Sequence, residues 1–418
     1  MMRRLSASAA LLAAILSLFL SWLAAAESAP PRVVETGPSD QLVLPPPFST
    51  RSVAQPSRVV FWPSGKMPIA PAGFEVSLFA DDLENPRSIY LLPNGDLLVM
   101  ESLRQSGGSR VILLRDTKKS GQPDLRTVFL SRLNMAFGMA MVGTRFYVGN
   151  TDSIVVFPYQ NGDTQIRRRP EKILDLPSGG HYTRNIVADA AGKKLYVAVG
   201  SATNVDEQRV DEKDPRRAAI LEMNPDGRAM RVFASGMRNP VGMDWEPKTK
   251  SLWAVVNERD GLGDELVPDY LTRVRDGAFY GWPFSYFGQH EDPRKKGQRP
   301  DLVAKAIKPD FALGSHVAPL GLTFYDGKSF PAHYHGGAFI GMHGSWNRSN
   351  LAGYKVAFVP FKNGQPSGAI EDFLTGFVVN PNNSDVHGRP VGVAVWIDGS
   401  LLVADDAAGK VWRVSAKK

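Results

Sequence analysis

The chain of 418 residues contains no cysteine. That absence excludes disulfide staples, thiolate metal sites, iron–sulfur clusters and cysteine nucleophiles. Long apolar runs are scarce too: residues 9–23 form one, and nothing after them approaches that length. No later stretch keeps the 3.6-residue periodicity of a long amphipathic helix. The H-E-x-x-H, G-x-S-x-G and G-x-G-x-x-G patterns are missing, which removes three common enzyme classes. Gly327-Lys328-Ser329 imitates the end of a P-loop, but Leu322 stands where its upstream glycine is needed. The remaining composition, 43% hydrophobic and 22% charged with a formal charge of +7, is that of a globular protein. It argues against long disorder and against a polytopic membrane protein.

Residues 1–26 read MMRRLSASAALLAAILSLFLSWLAAA. A basic start, an apolar middle and a closing A-x-A are the parts of a secretory signal peptide. The apolar part is shorter than the roughly 20 residues of a spanning helix; an uncleaved anchor is the alternative. The expectation is a periplasmic or secreted protein, at most peripheral to a membrane. Arg167-Arg168-Arg169 and Lys295-Lys296 read as solvated faces, and no interleaved aromatics beside them suggest a nucleic-acid partner.

Residues 27–72 hold ten of the 31 prolines and read as an extended lead-in. After them one pattern returns six times: a short apolar strand, a turn usually bearing Gly or Pro, then a second apolar strand. The copies are NPRSIYLLPNGDLLVME (85–101), MAFGMAMVGTRFYVGN (135–150), YTRNIVADAAGKKLYVAVGS (182–201), NPVGMDWEPKTKSLWAVVNE (239–258), APLGLTFYDGKSFPAHYHGGAFIGMHGS (318–345) and RPVGVAVWIDGSLLVADD (389–406). Ser88, Gly138, Asn185, Gly242, Gly321 and Gly392 occupy equivalent places in them. Such units, each followed by further β-like segments, predict an all-β, six-bladed β-propeller over residues 73–418, with loops lengthening copies four and five. Two stacked β domains are the alternative.

In a propeller the residues just before each inner strand converge at one end of a central channel. Here they include Asn85, His181 with Tyr182, Arg238-Asn239 and His387-Gly388-Arg389. These side chains suit a polar ligand better than a structural rim. A neutral imidazole at His181 can accept a substrate hydroxyl proton; a hydrogen-bonded structural histidine is the plainer reading. Arg238 and Asn239 can hold a carbonyl or carboxylate and stabilise charge developing on it. Arg389 offers a second fork and His387 a further donor, so a small ligand with several carboxylates is expected.

VNERDGLGDELVPDYL (256–271) is acidic and glycine-bearing, and Gly261, Leu262, Asp264 and Glu265 are its candidate ligands for a hard cation such as Ca²⁺. FYGWPFSYFG (279–288) either stacks on a flat ring or sugar face, or simply covers the rim. His333 and His335 read as same-face residues of a strand rather than half a metal site.

The segments GGHYTRNI, LYVAVGSATNVDE, ASGMRNPVGMDW, VNERDGLGDELVPDYL, YGWPFSYFG, HGSWNRS and GRPVGVAV resemble those of the soluble sugar dehydrogenases that bind pyrroloquinoline quinone (PQQ), especially the L-sorbosone and aldose branch. The likeness runs from about Gly73 to the C-terminus. It implies a six-bladed propeller in which His181 removes the hydroxyl proton while hydride passes to the quinone. It places Arg238 and Asn239 against the quinone oxygens, and Arg389, His387 and Arg348 as basic residues near PQQ. The backbone carbonyls of Gly261 and Leu262 would hold Ca²⁺. Two positions depart: the glucose-oxidising members carry acids where this chain has Gly180 and Ser201, so here other groups must orient the histidine.

The expected function is an exported, PQQ- and Ca²⁺-dependent dehydrogenase of a sugar-type hydroxyl or hydrated aldehyde. Its electrons would pass to a cytochrome or a membrane quinone. The rivals are a Ca²⁺-dependent propeller lactonase or esterase, and a non-enzymatic propeller binding carbohydrate or protein.

Overall fold

The computed structural model describes residues 34–381 and 383–417. The expected signal peptide, residues 1–26, lies outside them. The all-β expectation holds: among the described residues the one α-helix is Pro300–Val303. No described helix is long and apolar enough to cross a membrane.

Six sheets of four or five antiparallel strands follow the six sequence copies. Their innermost strands are Pro86–Leu91, Met139–Val142, Ile186–Ala188, Asn239–Trp245, Pro319–Phe324 and Pro390–Val395. The second strand of each copy, such as Leu97–Glu101, Leu195–Val199 or Leu401–Asp405, is buried along its whole length. Neighbouring sheets cover both its faces, which is why it reads as a continuous apolar run rather than an alternating one. The core is accordingly divided into wedges between successive sheets. Phe129 and Phe146 pack between sheets one and two, and Tyr147 with Val197 between two and three. Tyr196 and Tyr270 fill the next gap, then Trp253 with Ile340, then Phe339 with Trp412. A last wedge, Leu402 with Val99, joins sheet six back to sheet one.

The six equivalent positions found in the sequence are the points at which inner strands touch. The Ser88 hydroxyl donates to Phe137 O and the Asn185 carboxamide to Val241 O. A side chain at Gly138 would overlap Arg184 O, and one at Gly321 would overlap Val391 O. At Gly242 a Cβ would lie 2.8 Å from Leu322 N, and at Gly392 2.9 Å from Arg87 O. Each position thus faces the following copy, and the sixth faces the first. The sixth sheet takes its outer strand, Phe74–Ala80, from the start of the repeats, pairing with Lys410–Ala416 near the C-terminus.

Residues 34–72 contain the strands Thr36–Pro38 and Arg58–Val59 and one 3-10 turn, Ser39–Gln41. The segment is tied down by its backbone. Phe48 N donates to Leu262 O (2.8 Å), Gln55 N to Trp346 O (2.6 Å) and Val60 N to Val386 O (2.8 Å). Copies four and five carry their additional length as small hairpins, Ser285–Tyr286 with His290–Glu291 and Phe361–Lys362 with Gln365–Pro366.

Two local expectations are corrected. His333 lies in a 3-10 turn, Ala332–Tyr334, not a strand, because Pro331 precedes it; its ring pairs with Glu371 and that of His335 with Phe330 O. Lys295 is buried rather than solvated, its ammonium donating to Asp206 O at 2.9 Å.

Candidate active site

Two hollows open at opposite ends of the inner-strand ring. Phe137, Val241, Leu320 and Val391 form an apolar cluster at its axis, with Phe137 and Leu320 lining one hollow and Leu320 also the other. The larger hollow, about 590 Å³, is lined mainly by strand residues, with Asp189, Asp244 and Asp326 as its acids. The second, about 490 Å³, draws residues from all six copies: Arg87, Met135, Tyr182, Asn239, Ala318 and Arg389. It holds His181, Arg238, Asn239 and Arg389 together; Asn85 and His387, named with them from the repeat, are not in its lining.

His181 is placed by glycines. Gly180 adopts φ +71°, and the position of its absent Cβ is occupied by Ala202 and Ser201 backbone, so no side chain fits there. The acid missing from that place is therefore excluded by the local fold. Gly200 likewise leaves room for His181 and Asn239 to lie side by side; a Cβ there would stand 2.6 Å from His181 Cβ. The ring is oriented by a backbone group, Nδ1 donating to Ser201 O at 2.8 Å. That bond fixes the proton on Nδ1 and leaves Nε2 as the acceptor, with no partner among the described residues.

Burial, reinforced by the Arg238 charge, pushes the His181 imidazole down to about 3. The histidine is thus neutral throughout the physiological range. Its ring NMR signals should hold their neutral positions from about pH 8 to about pH 5, where an ordinary histidine titrates near 6.5. The unfolded chain takes up this proton near pH 6.5 and the folded chain only near 3. His181 therefore contributes stability that is lost as pH falls through that window.

Arg238 is held as a fork. It donates to Asn204 O (3.1 Å), Glu258 O (2.8 Å) and the Asp260 carboxylate (3.2 Å). Burial disfavours the Asp260 charge, but Arg238 and His316 overcome it and hold that carboxyl at about 2. Arg389 donates to His343 O (3.0 Å) and Gly344 O (2.8 Å) and lies over the Tyr354 ring.

Other expected residues lie elsewhere. His387 packs against Trp62, ring centroids 4.6 Å apart and tilted by 32°, away from the cavity lining. Arg348 pairs with Glu35 and Glu265 and donates to Asp264 O, clamping the lead-in to the 258–265 turn. That contact occupies Glu265, while Asp264 accepts from Ser349 N and Leu262 O from Phe48 N. Of the four candidate cation ligands, Gly261 keeps a carbonyl without a hydrogen bond among the described residues, and its neighbour Asp260 lines the cavity. Tyr280, Trp282, Phe284, Tyr286 and Phe287 are all buried, so the aromatic loop covers the rim rather than offering a stacking face. Trp346, half exposed, and Tyr182 are the aromatics that line the cavity.

The sequence reading missed Glu258, Asp269 and a paired histidine. His343 Nε2 donates to the Asp406 carboxylate (2.9 Å), which Arg87 also grips at 2.7 Å. Burial lowers His343 to about 4, against the raising pull of Asp406. Burial raises Glu258 to about 7 and Asp269 to about 6. Glu258 Oε1 and Asn239 Oδ1 are buried without hydrogen-bond partners, and both residues line the cavity. The missed signal was available in part. Antiparallel pairing of Asn239 with Asn257, Pro390 with Asp405 and Pro319 with Met342 carries the ends of the second strands to the same mouth.

A succession of antiparallel sheets around a cationic, histidine-bearing cavity is the arrangement of a β-propeller. The family model described as TrAA12-like matches residues 68–269 and 289–417, and the chain belongs to that family. The pyrroloquinoline quinone-dependent pyranose dehydrogenase of Coprinopsis cinerea is 24% identical over 399 residues, covering 81% of this chain and 53% of that protein. The chain thus spans about half the length of that relative. The holo form of its PQQ domain superposes with a TM-score of 0.70 at 22% identity, covering 84% of this chain and 97% of the domain. The calcium structure of the Trichoderma reesei family AA12 enzyme gives 0.72 at 21% identity, covering 86% and 98%. The resemblance to PQQ-dependent sugar dehydrogenases read from the motifs is borne out.

Proposed function

We propose that the chain is an exported, six-bladed propeller dehydrogenase that uses PQQ and calcium to oxidise a sugar-type hydroxyl or hydrated aldehyde. The observation carrying this reading is the convergence of His181, Arg238, Asn239 and Arg389 on one cavity of about 490 Å³, a volume typical of small-molecule sites. The family match and the six touching inner strands support the propeller. The motif of residues 1–26 supports export.

The residues fit the cofactor chemically. The Arg238 and Arg389 forks suit carboxylate and quinone oxygens, and Trp346 supplies an aromatic face. The unpartnered Asn239 Oδ1 and Glu258 Oε1, with the Gly261 carbonyl nearby in sequence, are oxygen donors of the kind calcium takes. When bound, PQQ supplies the hydride acceptor and calcium polarises it. His181 receives the substrate hydroxyl proton on Nε2, its ring held in that tautomer by Ser201 O. Arg238, oriented by Asp260, stabilises negative charge at the reacting end of the site. The apolar cluster of Phe137, Val241, Leu320 and Val391 limits water reaching the cavity through the ring.

A second assignment of the base has its own observation. His343, which also lines this cavity, donates through Nε2 to a carboxylate, Asp406. Its Nδ1 has no hydrogen-bond partner among the described residues. Both bases are compatible with the same overall reaction.

The test is a PQQ titration of the calcium-loaded protein followed by the quinone spectrum, then addition of aldoses with an artificial acceptor. Micromolar or tighter binding with sugar-dependent reduction is expected; an unchanged spectrum would remove the proposal. Arg389→Ala should weaken PQQ binding by about tenfold or more, since a charge-assisted pair is worth roughly 1.5–3 kcal/mol.

A further inference from the structure

Four guanidinium groups line the cavity, and three are committed. Arg238 is held by two carbonyls and Asp260, Arg389 by two carbonyls, and Arg87 by Asp406. Arg104 is different. It is exposed, lines the same cavity, and has neither a carboxylate nor a carbonyl partner among the described residues. Its guanidinium lies over the ring of Tyr182, 5.3 Å from the centroid. Arg87 approaches the same ring at 5.9 Å.

Tyr182 directly follows His181, so the free fork stands on the side of the cavity where a proton is to be accepted. Stacking on an aromatic ring restrains a guanidinium and leaves its edge donors free. A planar, pre-organised fork without an anion matches a carboxylate better than a hydroxyl.

We infer that the substrate is an acidic sugar, a uronic acid whose carboxylate is gripped by Arg104. The inference rests on the dehydrogenase reading and specifies its substrate class. In the reaction C1 loses a hydride to the quinone and its hydroxyl loses a proton to the histidine base, leaving the lactone of the sugar diacid. The carboxylate held by Arg104 is unchanged throughout.

The experiment compares galacturonate and glucuronate with galactose and glucose on the PQQ- and calcium-loaded protein and on Arg104→Gln. A PQQ titration of both proteins accompanies it, as does saturation-transfer NMR of each sugar on the protein without cofactor. The unaltered protein should favour uronates at least tenfold in kcat/KM. In Arg104→Gln that ratio should fall at least tenfold, through KM, and the uronate NMR contact should fade. A preference for neutral sugars, or equal losses on both classes, overturns the inference. So does a tenfold weakening of PQQ binding in Arg104→Gln, which would assign Arg104 to the cofactor. If PQQ fails to bind the unaltered protein, the dehydrogenase reading falls. The NMR comparison then still decides whether Arg104 holds a uronate carboxylate.

Discussion

Replacing His181 with alanine should lower kcat by about a thousandfold, within the range assigned to loss of a general base, while PQQ binding stays within about threefold. The separation follows from what the imidazole touches. Among the described residues the imidazole hydrogen-bonds to Ser201 alone, through Nδ1, so its removal leaves the Arg238 and Arg389 forks in place. Gly180 also limits collateral damage, because the space beside it is closed by the Ala202 and Ser201 backbone and not by the ring. Stopped-flow reduction of the bound quinone by a saturating sugar would read the step directly. His343→Ala supplies the counter-test. Should that variant lose the thousandfold and His181→Ala retain near-normal turnover, the base is the carboxylate-paired histidine. Asp406→Asn should then share much of the loss.

The fold was legible because six copies repeat one phase. Once Ser88, Gly138, Asn185, Gly242, Gly321 and Gly392 are aligned, the residues just before the strands fall at one mouth, which located His181, Arg238, Asn239 and Arg389. The same phase, read at the ends of the second strands, leads to Glu258, His343 and Asp406. It was not followed there because those residues sit at the far end of each hairpin in sequence. Only antiparallel register brings them back. Arg104 had no such signal, being placed by a loop that belongs to no part of the repeat.

The cation ligands illustrate a different limit. Asp264 and Glu265 look available in the sequence, yet residues more than eighty positions away, Arg348 and Ser349, occupy them. Distant partners of that kind leave no local pattern. The aromatic loop was ambiguous for the same reason: whether Trp282 faces solvent or core depends on Asn204, whose carbonyl receives its indole N–H at 2.8 Å.

Gly321→Ala should destabilise the protein by about 3 kcal/mol, at the upper end of typical overpacking costs, the largest stability effect expected from adding one methyl group. The residue lies on the inner strand of the fifth sheet, and the position of its missing Cβ is occupied by Val391 O of the sixth. Val391 is itself fully buried in the axial cluster, so its carbonyl cannot swing aside as an exposed side chain would. Gly341, on the adjacent strand, faces the same oxygen, and relief in that direction is closed as well. The methyl must therefore push two inner strands apart, and a ring transmits that displacement to the sheets on either side. Ser88→Ala, at the equivalent place in the first copy, removes only a hydroxyl bonded to Phe137 O and should cost about 1 kcal/mol. Urea unfolding of the two variants beside the unaltered chain measures the difference. Equal midpoints for Gly321→Ala and the unaltered chain would mean that the inner strands do not approach as closely as the ring requires. The site would lose its foundation with them, since Arg389 stands two residues before Val391 and is aimed by the same strand.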